Sequence, residues 1–351
     1  MNSLAESLRR SPELLPHSLD LREDTVNFVR LQRAEYQHAS FLDERVLNAR
    51  TGASASPWPE VIAAVDAAQL VERSGFIFHI GHVGSTLVSR LVGAHPAAFS
   101  LREPLVLRTL AQMRGGYADG RVWTESEFES RLSGCLKLLS RTYDTGQTAI
   151  VKATSFVSDL ASTLLSREYA PRALLMFVSP ESYLATIFGG ENSRREAKLL
   201  TPSRLRRLQR RLGEQSWNAA TLSEGETLAA AWACEMLGLV EAVGCAGNRA
   251  LPFDFDRFLD DPAVKLEAAL RQFAIQAGDR EVAAMLAGPE MRRYSKGPEF
   301  AYDAILRNQV LNQARAYHGH EIRRGLRWLD RAAERHLPVS AAMAFAAGAA
   351  A

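Results

Sequence analysis

The sequence predicts an α/β protein, a three-layer sandwich with a mostly parallel central sheet. Three observations point there. Short apolar runs at 76–80, 98–101, 148–151, 172–178 and 250–255 alternate with longer segments of helical periodicity, the order that builds strand–helix–strand units. Within each run, apolar residues follow one another instead of alternating with polar ones, as in strands covered on both faces. The first run leads through Gly81 and Gly84 into Ser85-Thr86. A strand, a glycine turn and a helix start together aim free N–H groups and the positive end of a helix dipole at one point, which suits an anion.

Composition sets the bounds. The 351 residues are 47% hydrophobic, enough for a sizeable core, and the net charge of +2 is too balanced to imply nucleic-acid binding. Cys135, Cys234 and Cys245 are scattered and odd in number, which suggests neither a disulfide framework nor a zinc site. A polar start and the lack of an apolar run near about 18 residues lead to the expectation of a cytoplasmic protein with no membrane span. Residues 1–60 read as an N-terminal helical extension packed on the core. In it, 24–45 is expected to be helical on a face of Val26, Phe28, Val29 and Leu31, 53–59, with Pro57 and Pro59, reads as a linker, and the whole region is expected to carry no chemistry. The α/β domain spans 61–338, and an Ala-rich tail occupies 339–351, read either as a helix end or as a disordered tail.

The glycine turn is the most informative stretch. Phe76-Ile77-Phe78-His79-Ile80 reads as a buried strand, and Gly81 and Gly84 suit backbone angles closed to other residues. Ser85 and Thr86 offer hydroxyls of the kind that cap helices. Leu87 with Leu91 and Val88 with Val92 share a helical face, and Gly93 with Pro96 ends it. A nucleotide-hydrolysing loop would carry a lysine before the hydroxyl pair, and none is present.

His82-Val83-Gly84-Ser85-Thr86-Leu87 resembles the [KR]-S-G-T-T-[LW] loop of sulfotransferases that use 3′-phosphoadenosine 5′-phosphosulfate (PAPS). The loop and its helix, which runs to Ala94-His95-Pro96, are most similar to tyrosylprotein sulfotransferases and their bacterial relatives. The resemblance implies a phosphate-loop sulfotransferase-like sandwich with PAPS as co-substrate and adenosine 3′,5′-bisphosphate as product. Gly81, His82, Val83, Gly84, Ser85, Thr86 and Leu87 would grip the 5′-phosphosulfate. His82 takes the family's basic position, so the charge there depends on pH. An ungapped run from the loop lands the family's catalytic glutamate on Glu103, at the carboxyl end of the 98–101 strand, where a carboxylate can take the acceptor's proton. Arg102 beside it shares that edge. Lys152, at the end of 148–151, would stabilise charge on the leaving oxygen together with His82 and the hydroxyls of Thr154 and Ser155. No metal is implied.

The resemblance also predicts a 3′-phosphate site after the 172–178 strand. Its serine position is Thr186, which keeps a hydroxyl, but its arginine position is Val178. Ser295-Lys296-Gly297 keeps two residues of the family's late R-K-G triplet, which makes Lys296 and Gly297 candidates, with Arg292 and Arg293 nearby. The run from Arg194 to Arg211 is a further source of cations. As a run it reads as a solvated helix face, and it has no interleaved aromatics for stacking on nucleic acid. The 256–262 segment resembles one that follows the last strand in many bacterial sulfotransferases, and Asp261-Pro262 reads as a helix start.

The expected reaction is sulfuryl transfer from PAPS to a hydroxyl or amine of a small-molecule or peptide acceptor. Two readings stay open beside it. A non-catalytic nucleotide- or phosphate-binding protein on this scaffold is favoured by His82 and Val178. A phosphate-loop kinase is disfavoured by the missing lysine.

Overall fold

The computed structural model describes residues 3–48, 51–116, 123–294 and 297–348. Eight of its strands build two sheets: β1 (Leu14–Asp20), β2 (Thr25–Arg30) and β3 (Ala53–Pro57) in one, and β4 (Gly75–His79), β5 (Ala98–Arg102), β6 (Thr148–Lys152), β7 (Ala173–Phe177) and β8 (Ala250–Asp254) in the other. The second sheet is parallel throughout, in the order β5-β6-β4-β7-β8. All five apolar runs are therefore its strands, and all residues of β4, β5 and β7 are buried. From β4 the chain moves to one side for β5 and β6, then crosses to the other for β7 and β8. The carboxyl ends of the strands beside β4 therefore border the crevice where ligands of open α/β sheets sit.

The N-terminal region departs from the helical expectation. β1, β2 and β3 form an antiparallel sheet, with short helices at Ser3–Arg10 and Arg33–His38. Val26 and Phe28, both fully buried, lie two apart on one face of β2, so a period of two outweighed the helical reading of the same residues. The expected linker is β3, whose small Ala and Ser side chains pair along β2; Pro57 ends this edge strand, where a missing N–H costs little. The sheet belongs to the same hydrophobic core as the parallel one. Arg102 ties the short helix Arg33–His38 to the end of β5: its guanidinium donates to the carbonyls of Tyr36, Ala39 (2.7 Å) and Gln37 (3.1 Å). Burial, with Arg90 nearby, pushes Arg102 down to about 9.

Of two further expectations, the structure selects one of the alternatives for the tail and changes the other. The Ala-rich tail includes a helix, Leu337–Gly348, with Val339, Ala342 and Ala346 buried. Its Phe345 ring lies 5.4 Å from that of Phe177 on β7. One segment, Glu224–Arg249, is apolar enough over 18 residues to pass as a membrane span, contrary to the sequence expectation; 72% of that window is buried inside the fold, where it serves as a core helix. The run from Arg194 to Arg211, read from the sequence as a solvated helix face, lies on the long helix Glu191–Leu212, which packs against Glu224–Ala246.

Candidate functional site

A cavity of about 730 Å³ opens over the carboxyl ends of β4 and β5, within the roughly 300–1,000 Å³ range of small-molecule sites. Gly81, His82, Val83, Gly84, Ser85, Thr86 and Leu87 all line it. The helix Ser85–Gly93 begins here with Gly84 as its N-cap, at φ 64° and with no side-chain capping bond. Ser85 and Thr86 are thus the first helical residues and not the caps that the sequence suggested. The first-turn N–H groups are left without a side-chain acceptor, an arrangement suited to an anion. A Cβ at Gly84 would come within 2.1 Å of the Phe255 ring, so contact with Phe255 adds to the left-handed backbone in requiring glycine.

The catalytic candidates come together. Glu103 lines the cavity and forms an ion pair with Lys152 Nζ. Lys152 is fully buried and is not part of the cavity wall, so its ammonium reaches the site through Glu103. Glu103 stands in the left-handed region at φ 56°, and its N–H donates to the Lys152 carbonyl at 2.6 Å. His82, at φ 55°, is the other non-glycine residue of the site held there. Each such conformation costs about 1–3 kcal/mol and persists only where surrounding contacts hold it. The His82 ring does not stand as a free cation over the loop: its Nε2 lies 3.6 Å from Glu196 on the helix Glu191–Leu212.

Sequence reasoning missed His79. It ends β4, its Nδ1 accepts the Gly81 N–H at 3.0 Å, and its Nε2 lies 3.8 Å from Glu103. The bond to Nδ1 places the proton of a neutral ring on Nε2, facing the carboxylate. The N-terminal region was also read as having no chemistry, yet Phe41, Asp43 and Arg45 form part of the cavity wall. Arg102 brings them there by holding the preceding residues 36–39.

The 3′-phosphate candidates divide. Thr186 lines the cavity and donates to the Ser182 carbonyl at 2.7 Å. Val178 is fully buried, and its carbonyl accepts from Trp232 Nε1 at 3.1 Å, so it offers nothing to a phosphate. Lys296 lies outside the described residues. Gly297 starts the strand Gly297–Ala301, paired with Tyr294, and is not in the cavity wall. Arg293 and Arg307 do line the cavity. Arg307 is 8% exposed, pairs with Asp256 at 2.6 Å and lies over the Phe255 ring that packs on Gly84.

The arginine run is not one solvated face. Arg206 and Arg210 are exposed, but Arg204 and Arg207 are each 2% exposed and share the fully buried Glu235, at 3.1 and 2.9 Å. Arg207 also holds Asp159 at 2.6 Å. Burial pushes the Glu235 carboxyl up, but Arg207 and Arg204 outweigh it and hold it below its ordinary value. A lone glutamate inside the apolar run Ala231-Trp232-Ala233-Cys234-Glu235-Met236-Leu237 was the available signal, because a carboxylate there demands a buried cation. Arg204 lines the cavity beside Gly81, and Tyr183 and Glu235 overcome the effect of burial to raise its pKa.

Fold and site together define an α/β protein with a parallel central sheet, whose crevice joins a glycine turn and helix start suited to an anion to a half-buried glutamate paired with a fully buried lysine. Its structure is similar to the sulfotransferase domain of the Synechococcus PCC 7002 olefin synthase (13% identity over 68% of this chain and 93% of that one, TM-score 0.38). It is also similar to a sulfotransferase from Mycobacterium avium (13%, 74% and 78%, 0.38) and to one from Alicyclobacillus acidocaldarius (12%, 63% and 94%, 0.35). No protein-family model matches the chain, and no curated protein sequence does.

Proposed function

We propose that the protein transfers a sulfuryl group from PAPS to a hydroxyl or amine acceptor, with Glu103 as general base. The observation that carries this reading is the placement in one cavity of Glu103, paired from behind with Lys152, and of the helix start at Gly84–Thr86 with no side-chain cap. In the reaction the acceptor's oxygen or nitrogen attacks sulfur, and the bond from sulfur to the bridging oxygen breaks. The electron pair of that bond goes to the 5′-phosphate, and the acceptor's proton goes to Glu103. First-turn N–H groups and the Ser85 and Thr86 hydroxyls stabilise the phosphate as it gains charge. Lys152, fixed against Glu103, holds the carboxylate in place until it takes the proton.

Thr186 and Arg307 suit the 3′-phosphate, with Arg307 supplying the charge that Val178 lacks. Both line the cavity, and Arg307 packs through Phe255 against the loop. The acceptor would enter beside Phe41, Leu105 and Phe156, apolar residues of the same wall as Glu103.

The test is sulfuryl transfer from radiolabelled PAPS across a panel of alcohols, phenols, amines and tyrosine peptides. Glu103→Gln is expected to lower turnover at least about 100-fold, the usual scale of a lost general base, while leaving adenosine 3′,5′-bisphosphate affinity nearly unchanged. Turnover at the wild-type level in that variant removes Glu103 from the mechanism. A second reading, a non-catalytic anion-binding protein, is favoured by Val178 and by the His82–Glu196 contact. Tight bisphosphate binding with no transfer to any acceptor class would support it.

A further inference from the structure

We infer that the fixed positive charge of the anion site comes from Arg204, on the helix Glu191–Leu212, and not from the loop's own basic residue, His82. The inference rests on the reading of the loop as a phosphate site and names the residue that supplies its charge.

Four observations carry it. Arg204 lines the cavity and lies against the loop: its Nη2 is 3.4 Å from Ser155 Oγ and would be 3.7 Å from a Cβ on Gly81. It is 2% exposed, yet its Nη1 has no hydrogen-bond partner among the described residues. A buried guanidinium N–H without an acceptor is expensive unless something negative completes it. Second, its counter-ion is shared. Glu235 serves both Arg204 and Arg207, and Asp159 serves Arg207 and Arg211, so Arg204 shares its one carboxylate with Arg207. Third, Thr86 Oγ1 and Thr154 Oγ1, both in the same wall, are likewise buried without a partner. Two hydroxyls and a guanidinium fork are the donor set of a tetrahedral oxyanion. Fourth, His82 is engaged with Glu196, which offsets whatever charge its ring carries.

The ligand class is therefore a phosphate or phosphosulfate group bound by an arginine fork that reaches the loop from a helix after β7. Glu235 acts as a positioning residue: bonded to Nε of Arg204, it turns the outer nitrogens of the guanidinium toward the loop and Ser155.

Calorimetric titration of the full chain with inorganic pyrophosphate tests this, with adenosine 3′,5′-bisphosphate run in parallel. Arg204→Gln is expected to weaken pyrophosphate binding about 10- to 100-fold, the worth of a charged hydrogen bond or two, and His82→Asn less than about threefold. The reverse order, or no pyrophosphate binding by the wild type, overturns the inference. Should Arg204→Gln fail to fold, Arg204→Lys keeps a cation beside Glu235. It is expected to lose about tenfold, because one ammonium cannot reproduce the fork, and unchanged affinity would overturn the proposal. The two ligands separate this inference from the donor reading. Pyrophosphate binding that depends on Arg204, without bisphosphate binding, leaves Arg204 in place and removes PAPS. Equal bisphosphate binding by wild type and Arg204→Gln does the opposite.

Discussion

Glu103 and His82 carry the site's strain. Both hold a left-handed backbone that side chains disfavour, and both line the crevice. Glu103 is held by its N–H bond to the Lys152 carbonyl and its ion pair with the Lys152 ammonium, so one residue fixes both its backbone and its carboxylate. Gly84 is the opposite case, a position where only glycine is free of strain. Gly84→Ala places a methyl within 2.1 Å of the Phe255 ring at φ 64°, and is expected to cost about 2–4 kcal/mol of stability in urea unfolding. The same substitution should displace Phe255 and weaken binding of the bisphosphate. A loss under about 0.5 kcal/mol would mean that Phe255 moves aside freely. At this scale the sequence showed the residue types of the loop, but not its angles. Nothing in the string distinguishes a strained Glu103 from an ordinary one, and the partner that strains it is far along the chain.

Between elements, two buried contacts made by arginines decide the arrangement. The helices Glu191–Leu212 and Glu224–Ala246 are joined by Arg204 and Arg207 on Glu235, which is held ionised below its ordinary value of 4.5. A carboxylate whose pKa is lower in the folded state contributes stability that is complete above its unfolded value and lost as pH falls through the folded one. Acid unfolding is therefore expected to steepen below about pH 4.5, and Glu235→Gln to flatten that limb. Parallel acid limbs for the two proteins in chemical-denaturation profiles from pH 3 to 6 would show that the network has no such part. The second contact is Arg102, which binds three carbonyls of residues 36–39 and so joins the short helix Arg33–His38 to the edge strand β5 of the parallel sheet. Arg102→Met leaves those carbonyls without their donor. It is expected to cost about 2–4 kcal/mol and to open 33–45 to proteolysis before the rest unfolds. Neither contact could be read from periodicity. Arg102 stood beside a catalytic candidate and was credited with the same edge, whereas burial turned it toward the backbone of another segment.

At the scale of the whole molecule, the termini belong to the core. Deleting 337–351 removes Val339 and Ala342, both fully buried, and the Phe345 contact with Phe177 under the parallel sheet. It is expected to lower unfolding stability by about 3 kcal/mol or more, read as a shift in urea midpoint. A truncated protein as stable as the full chain would make that helix an appendage. By itself the sequence determined the parallel sheet, its five strands and the glycine turn that leads into a helix. A continuous apolar run has few folds open to it, and glycines at a strand–helix junction admit few backbones. It also put Glu103, Lys152 and Thr186 at strand or helix positions that proved to border or support one cavity. Only the tertiary structure decided which cations meet the loop, that β1–β3 form a sheet, and that His79 faces Glu103. These depend on pairings between distant segments, where burial selects one partner from many chemically equivalent ones. A run of arginines looks alike along the chain, and Glu235 distinguishes Arg204 and Arg207 from the others once the two helices pack.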